Sequence, residues 1–127
     1  MELDMYAEAI ITNYEHPTRK RAMEHPDFLM HDYNPLCGDE ITVYVSTDGT
    51  TIKDVTFEGA GCAISMGTAN MLAEALMGRP LEELRSMNAG SIIELIGVDP
   101  GPVRLKCAVL SLKALQKGLA LYERKRA

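Results

Sequence analysis

The chain has 127 residues, the length of one domain, and its 46% hydrophobic and 24% charged residues exclude a disordered or low-complexity protein. A formal charge of −5 gives no electrostatic ground for nucleic-acid binding. No apolar run approaches the roughly 18 residues of a membrane span, and Met1-Glu2-Leu3-Asp4 lacks the basic start of a signal peptide, so a cytoplasmic chain is expected.

The first predicted element is a helix from Glu2 to about Asn13, with Leu3, Tyr6, Ile10 and Tyr14 on one stripe and Pro17 beyond its end. His16 to Leu36 mixes charges, three His and three Pro without apolar periodicity and reads as an exposed loop. Two strands follow, Ile41 to Ser46 and Thr51 to Glu58, joined through Thr47-Asp48-Gly49-Thr50 with its Asp-Gly hairpin signal. After Gly59-Ala60-Gly61 the pattern turns helical. Ser65 to Met77 is apolar around most of its circumference, which predicts a central helix closed by Gly78 and Pro80. Leu81 to Leu84 adds a helical turn, and Ser91-Ile92-Ile93-Glu94 matches a capping box that starts another short helix. Pro100-Gly101-Pro102 breaks the chain before a long final helix, roughly Cys107 to Arg124. There Ala108, Leu112, Leu115, Leu119 and Tyr122 face inward and Lys113, Lys117 and Arg124 outward. A hairpin followed by helices, without strand–helix alternation, is an α+β layout, and residues 1–127 read as a single domain.

Charge is unevenly spread. Residues 1–36 carry 3 bases and 7 acids, residues 37–100 carry 3 and 10, and residues 101–127 carry 7 and 1. The cationic end is either a solvated helix terminus complementing the helix dipole or a docking patch for an acidic partner.

Three cysteines cannot all be paired, and in a cytoplasmic chain they point to thiol chemistry or metal binding. Cys37 lies in Asn34-Pro35-Leu36-Cys37-Gly38-Asp39. Residues two apart on extended chain face the same way, so Cys37 and Asp39 can meet one ion. Cys62 follows Gly59-Ala60-Gly61 into the central helix, and Cys107 opens the last helix beside Arg104 and Lys106. A helix start and adjacent cations lower a thiol's pKa and favour the thiolate, both nucleophile and metal ligand. Three thiolates and a carboxylate would suit tetrahedral Zn²⁺ or iron in a cluster. The spacing alone, with 24 and 44 intervening residues, matches no finger or ribbon, and each Cys can equally be a small buried hydrophobe, Cys107 above all. His31 stands nearest Cys37 and is a possible extra ligand, whereas His16 and His25 read as polar surface.

Asn34-Pro-x-Cys37-Gly-Asp39, Phe57-Glu58-Gly59-x-Gly61-Cys62-x-Ile64-Ser65 and Arg104-x-Lys106-Cys107-Ala108, in that order, resemble the SufU/IscU scaffolds of iron–sulfur cluster assembly, a NifU N-terminal-like family. The resemblance runs from the first helix, through Met5-Tyr6-Ala7-Glu8, to the last. It implies a small antiparallel sheet of about three strands with helices on one face. It also implies Cys37, Asp39, Cys62 and Cys107 as ligands of a [2Fe-2S] cluster or of Zn²⁺, with Arg104 and Lys106 supporting. The implied function is a carrier rather than a turnover enzyme: a scaffold that receives sulfur from a cysteine desulfurase, builds the cluster and passes it to apo-proteins or carrier proteins, with a homodimer around the cluster as an option. The alternative is a zinc-bound sulfurtransferase with Cys107 as persulfide acceptor; a third reading makes zinc purely structural. Lys106 before the third Cys is as in the SufU branch, where the IscU branch has His; the length is that of the IscU branch, without the SufU insertion.

Overall fold

The computed structural model describes residues 2–126, with side chains from residue 8 onward. The elements in order are α1 (Glu2–Glu15), β1 (Phe28–Asn34), β2 (Asp39–Thr47), β3 (Ile52–Ala60), α2 (Ala63–Leu76), α3 (Leu81–Ser86), α4 (Ala89–Ile96), α5 (Pro102–Ala108) and α6 (Leu110–Arg126). The strands form one antiparallel sheet in the order β1-β2-β3. This is the α+β layout expected, with the long helix at the C-terminal end.

Period-two alternation sorts the sheet into two faces. Phe28 and Met30 of β1, Ile41, Val43 and Val45 of β2, and Val55 and Phe57 of β3 lie in register on the inner face, where α2 and α6 cover them. Leu29, His31, Tyr33, Glu40 and Glu58 stand exposed on the other. α2 is the central helix: Met66, Leu72, Ala73 and Leu76 are at most 2% exposed. α1 crosses α2 at Gly67, where a Cβ would stand 2.4 Å from the Ile10 carbonyl oxygen, so only glycine permits this approach. Ile10 is buried as its stripe predicts, Tyr14 is exposed near the helix end, and Leu3 and Tyr6 lie outside the residues with described side chains.

Four sequence expectations need correction. The stretch 16–36 is not all loop, because Phe28–Asn34 is the third strand. His31 on the wet face and the inward-facing Asp32, whose carboxylate pairs with Lys117, hid it from a hydrophobicity reading, since an edge strand tolerates charge that a central strand does not. Upstream, Lys20 bridges Phe57 in parallel, and the Phe57 N–H donates to the Arg19 carbonyl (3.0 Å). Asn70, 1% exposed on α2, ties this segment down: its carbonyl accepts from the Arg19 N–H (2.9 Å) and its amide donates to Asn13 of α1 (2.7 Å).

The second correction is the capping box, which lies three residues earlier than Ser91-Ile92-Ile93-Glu94 predicts. Asn88 is the N-cap of α4 and Ser91 its reciprocal partner, so Ser91 closes the box instead of opening it. Third, the final helix is two helices, α5 begun by Pro102 and α6, with the break at Val109. Nothing in Ala108-Val109-Leu110 breaks a helix by itself. The break follows packing, since α5 lies against α2 while α6 lies against α2 and also runs across β1 and β2. The fourth correction follows: Cys107 does not open a helix but sits at the C-terminal end of α5.

Candidate metal centre

The β1–β2 connection presents the first thiol. Asn34 ends β1, and its carbonyl accepts from the Cys37 N–H (3.2 Å) and the Gly38 N–H (2.9 Å) while its side-chain oxygen accepts from the Leu36 N–H (3.1 Å). Such an Asx turn after Asn-Pro needs a residue at positive φ to close, and Gly38 supplies φ +72°. Cys37 is thereby held exposed at the turn, and Asp39, two residues on, enters β2 on the inner face at 2% exposure.

Cys62 is the N-cap of α2. Its Sγ accepts from the Ser65 N–H at 3.4 Å, in the manner of a Ser or Asp cap. Its own N–H donates to Asp39 Oδ1 (2.9 Å), and its Sγ lies 3.8 Å from Asp39 Oδ2. Gly61 makes this possible: a Cβ there would stand 2.5 Å from Asp39 Oδ1 and 2.8 Å from Ser65 Oγ.

From the end of α5 the Cys107 Sγ comes to 3.0 Å from that of Cys37, and the Asn34 amide stands 3.9 Å from it. The ligand atoms of Cys37, Asp39 and Cys107 lie within 4.8 Å of one another. Cys62 is outside that group, joined to it through Asp39 and turned towards Ser65. The structure therefore brings three of the four predicted ligands together and leaves the fourth at the rim. His31 points away on the opposite sheet face, exposed, as are His16 and His25.

The donor set suits a soft cation. Asp39 is a nearly fully buried carboxylate with one backbone N–H donor, and among the described residues no basic side chain forms an ion pair with it. A buried charge left so thinly paired is costly unless a cation supplies the balance. Two thiols and this carboxylate, with a third thiol at its edge, offer sulfur to zinc or iron and one oxygen besides.

In the metal-free chain the surroundings of Cys107 favour the thiol over the expected thiolate. Burial pushes its thiol well above the ordinary range, hydrogen bonds with Cys37 and Asp39 push it further, and the charges of Cys62 and Asp39 add to the effect. The helix C-terminus it occupies repels negative charge instead of attracting it. Arg104 and Lys106 are exposed and form no ion pair among the described residues, so neither offsets that burial.

Two residues gain a site role that the sequence reading did not assign: Asn34, which shapes the Cys37 turn and faces Cys107, and Ser65, which holds Cys62. The Asn-Pro pair at a strand end is the signal for the first. A thiol cap three residues before Ser65 has no such signal.

Comparison with known proteins agrees with this geometry. The chain is 36% identical over 137 residues to the zinc-dependent sulfurtransferase SufU of Bacillus subtilis, covering 94% of this chain and 92% of that one. It is 28% identical over 121 residues to the iron-sulfur cluster assembly scaffold protein IscU 1 of Archaeoglobus fulgidus, covering 95% and 78%. A crystal structure from Fervidobacterium islandicum, described as a candidate iron-sulfur cluster assembly scaffold protein for the SUF system, superposes with a TM-score of 0.77 at 30% identity over 91% of this chain and 97% of that one. The model of the NifU-like N terminal domain matches residues 5–127. The chain belongs to the NifU-like N-terminal domain family.

Proposed function

We propose that the chain is an iron–sulfur cluster assembly scaffold working as one domain. It takes sulfur from a cysteine desulfurase, assembles a [2Fe-2S] cluster with Cys37, Asp39, Cys62 and Cys107 as ligands, and passes it to apo-proteins or carriers. The observation that carries this reading is the meeting of Cys37, Asp39 and Cys107 from three separate elements around an uncompensated buried carboxylate. Cys37 and Cys62 are both exposed to an incoming sulfur donor, whereas Cys107, which the sequence reading favoured as acceptor, lies behind Cys37 at 4% exposure. Cys62 completes the set by turning its side chain from Ser65 towards Asp39. Asp39 gives the cargo one hard oxygen among soft sulfurs, a weaker hold that suits release.

Next to Cys37, the residues Lys106, Lys113 and Lys117 line a cavity of about 200 Å³ with Asp32 and Tyr33. Lys117 is engaged by Asp32 at 2.8 Å, while Lys113 is exposed. This cationic flank would steer an acidic region of the desulfurase towards the site. Cluster sharing between two copies remains part of the proposal. Among the described residues no helix is long and apolar enough to cross a membrane.

The similarity to the Bacillus subtilis sulfurtransferase, together with Lys106 before Cys107, favours a second reading in which zinc occupies the same donors and the chain carries sulfur alone. Zinc would act there as a redox-silent ion holding the thiolates. Metal analysis of protein purified anaerobically, with and without a desulfurase, cysteine and ferrous iron, separates the two. Iron and acid-labile sulfide in equal amounts support the scaffold. Zinc that iron and sulfide do not displace supports the carrier and overturns the scaffold.

A further inference from the structure

The 3.0 Å contact between Cys37 and Cys107 carries a consequence for sulfur itself. We propose that in the metal-free chain Cys107 resolves a persulfide formed on Cys37, releasing its outer sulfur as hydrogen sulfide and leaving a Cys37–Cys107 disulfide. This deepens the preceding proposal and rests on its reading of the chain as a sulfur acceptor.

The geometry selects the sulfur attacked. Cys107 Sγ touches Cys37 Sγ, which becomes the inner sulfur of the persulfide; because Cys37 is exposed, the added outer sulfur projects to solvent. Nucleophile, inner sulfur and leaving group can then line up, as thiol–disulfide exchange requires. About 1 Å of closure separates the contact from a disulfide bond, and Cys37 sits on a surface turn beside Gly38 where such a shift disturbs no core residue. Cys62 is exposed as well, but it is turned towards Ser65 and stands outside this group, so the contact with Cys107, not exposure, assigns the step to Cys37.

The step balances without an external reductant. The Cys107 sulfur forms a bond to Cys37 Sγ, and the bond from Cys37 Sγ to the outer sulfur breaks with its electron pair going to that sulfur. The Cys107 thiol, kept protonated by its surroundings, passes its proton to the outer sulfur as the attack proceeds, so a thiol and a persulfide become a disulfide and hydrogen sulfide. The two thiols are oxidised by two electrons, and the sulfane sulfur is reduced to the oxidation level of sulfide. An ion bound by both thiolates occupies the lone pairs that the attack needs. Metal occupancy thus decides whether sulfur is kept or discharged, and a dithiol is needed to reset the discharged state.

The test treats the full-length protein, metal-free and zinc-loaded, with glutathione persulfide under anaerobic conditions, reading sulfide release, intact mass and the disulfide map. The metal-free chain is expected to release one sulfide per chain, lose two hydrogens in mass and map to Cys37–Cys107. In an unfolded chain the shorter Cys37–Cys62 loop closes about five-fold more readily, so that pairing would overturn the proposal. Zinc loading should suppress release. Cys107→Ser and Cys107→Ala should each retain one added sulfur on Cys37. A wild-type chain that also retains it, with no disulfide or sulfide, overturns the inference and leaves the acceptor reading standing. No added sulfur on either Cys107 variant, and no sulfide or disulfide from wild type, overturns both.

Discussion

Gly61→Ala probes the centre through a residue that binds nothing. The new Cβ would stand 2.5 Å from Asp39 Oδ1, 2.9 Å from Asp39 Cγ and 2.8 Å from Ser65 Oγ. Both neighbours are at most 2% exposed, so neither can swing into solvent. Relief requires a shift of nearly 1 Å, in Asp39 or in the loop carrying Cys62, and either move strains the 2.9 Å bond from the Cys62 N–H to Asp39. Overpacking of this kind costs about 1–3 kcal/mol. The smaller backbone entropy of alanine in the unfolded chain offsets about 0.4–1 kcal/mol. The middles of these ranges leave a net loss of about 1.3 kcal/mol, which lowers the Tm of a domain this size by about 4–8 °C. Because either move displaces a ligand, Asp39 or Cys62, zinc affinity should fall about 10–100-fold, as for other disturbances behind a ligand. Thermal unfolding of the metal-free protein and zinc competition against a chromophoric chelator measure both. An unchanged Tm with unchanged zinc affinity would refute the close packing of Gly61, Asp39 and Ser65.

Further expectations follow from other groups. Asp39→Ala removes the one oxygen donor, so a reconstituted cluster should transfer more slowly to an apo-acceptor under anaerobic conditions; faster loss than wild type contradicts the release role. The folded-state pKa of Cys107 is raised above the ordinary thiol value of 9.0. The group's stabilising contribution is therefore complete below pH 9 and declines as pH rises towards the folded value; urea titrations should show metal-free wild type losing stability above pH 9 more steeply than Cys107→Ala. Asn70→Ala leaves the Arg19 N–H and the Asn13 amide oxygen without their buried partner, which should cost about 2–4 kcal/mol in the same titration. Lys113→Glu with Lys117→Glu should slow desulfurase association at low salt, with the deficit fading as the screening length falls from about 10 Å at 0.1 M to about 3 Å at 1 M; equal rates at the lowest salt would make this flank plain solvated surface.

The parts of the fold legible in the sequence are those where one periodicity dominates. The Asp48-Gly49 hairpin, the apolar α2 and the stripe Leu112, Leu115, Leu119 all lie where expected. β1 was not legible from its residues, because its edge position and its inward-facing Asp32, paired with Lys117, break the apolar alternation. The capping box shifted because Ser91 serves either end of such a box, and only the chain direction of Asn88 decides. At the site, Cys37 and Asp39 were readable together from their spacing of two. The meeting of Cys37 with Cys107 depends on the break at Val109, which no local residue announces. The thiolate expected at Cys107 is disfavoured first by burial, and the helix end it occupies, in place of the expected helix start, adds to the effect.

The most direct test of the scaffold reading is anaerobic reconstitution with ferrous iron, cysteine and a cysteine desulfurase, followed by addition of an apo iron–sulfur protein. The quantity to measure is cluster appearing in the acceptor. The account predicts that wild type acquires and then hands over the cluster, and that Cys37→Ser and Cys107→Ser acquire none. Cluster assembly on those variants at the wild-type level, or a wild type that takes up sulfur but never iron, would contradict it.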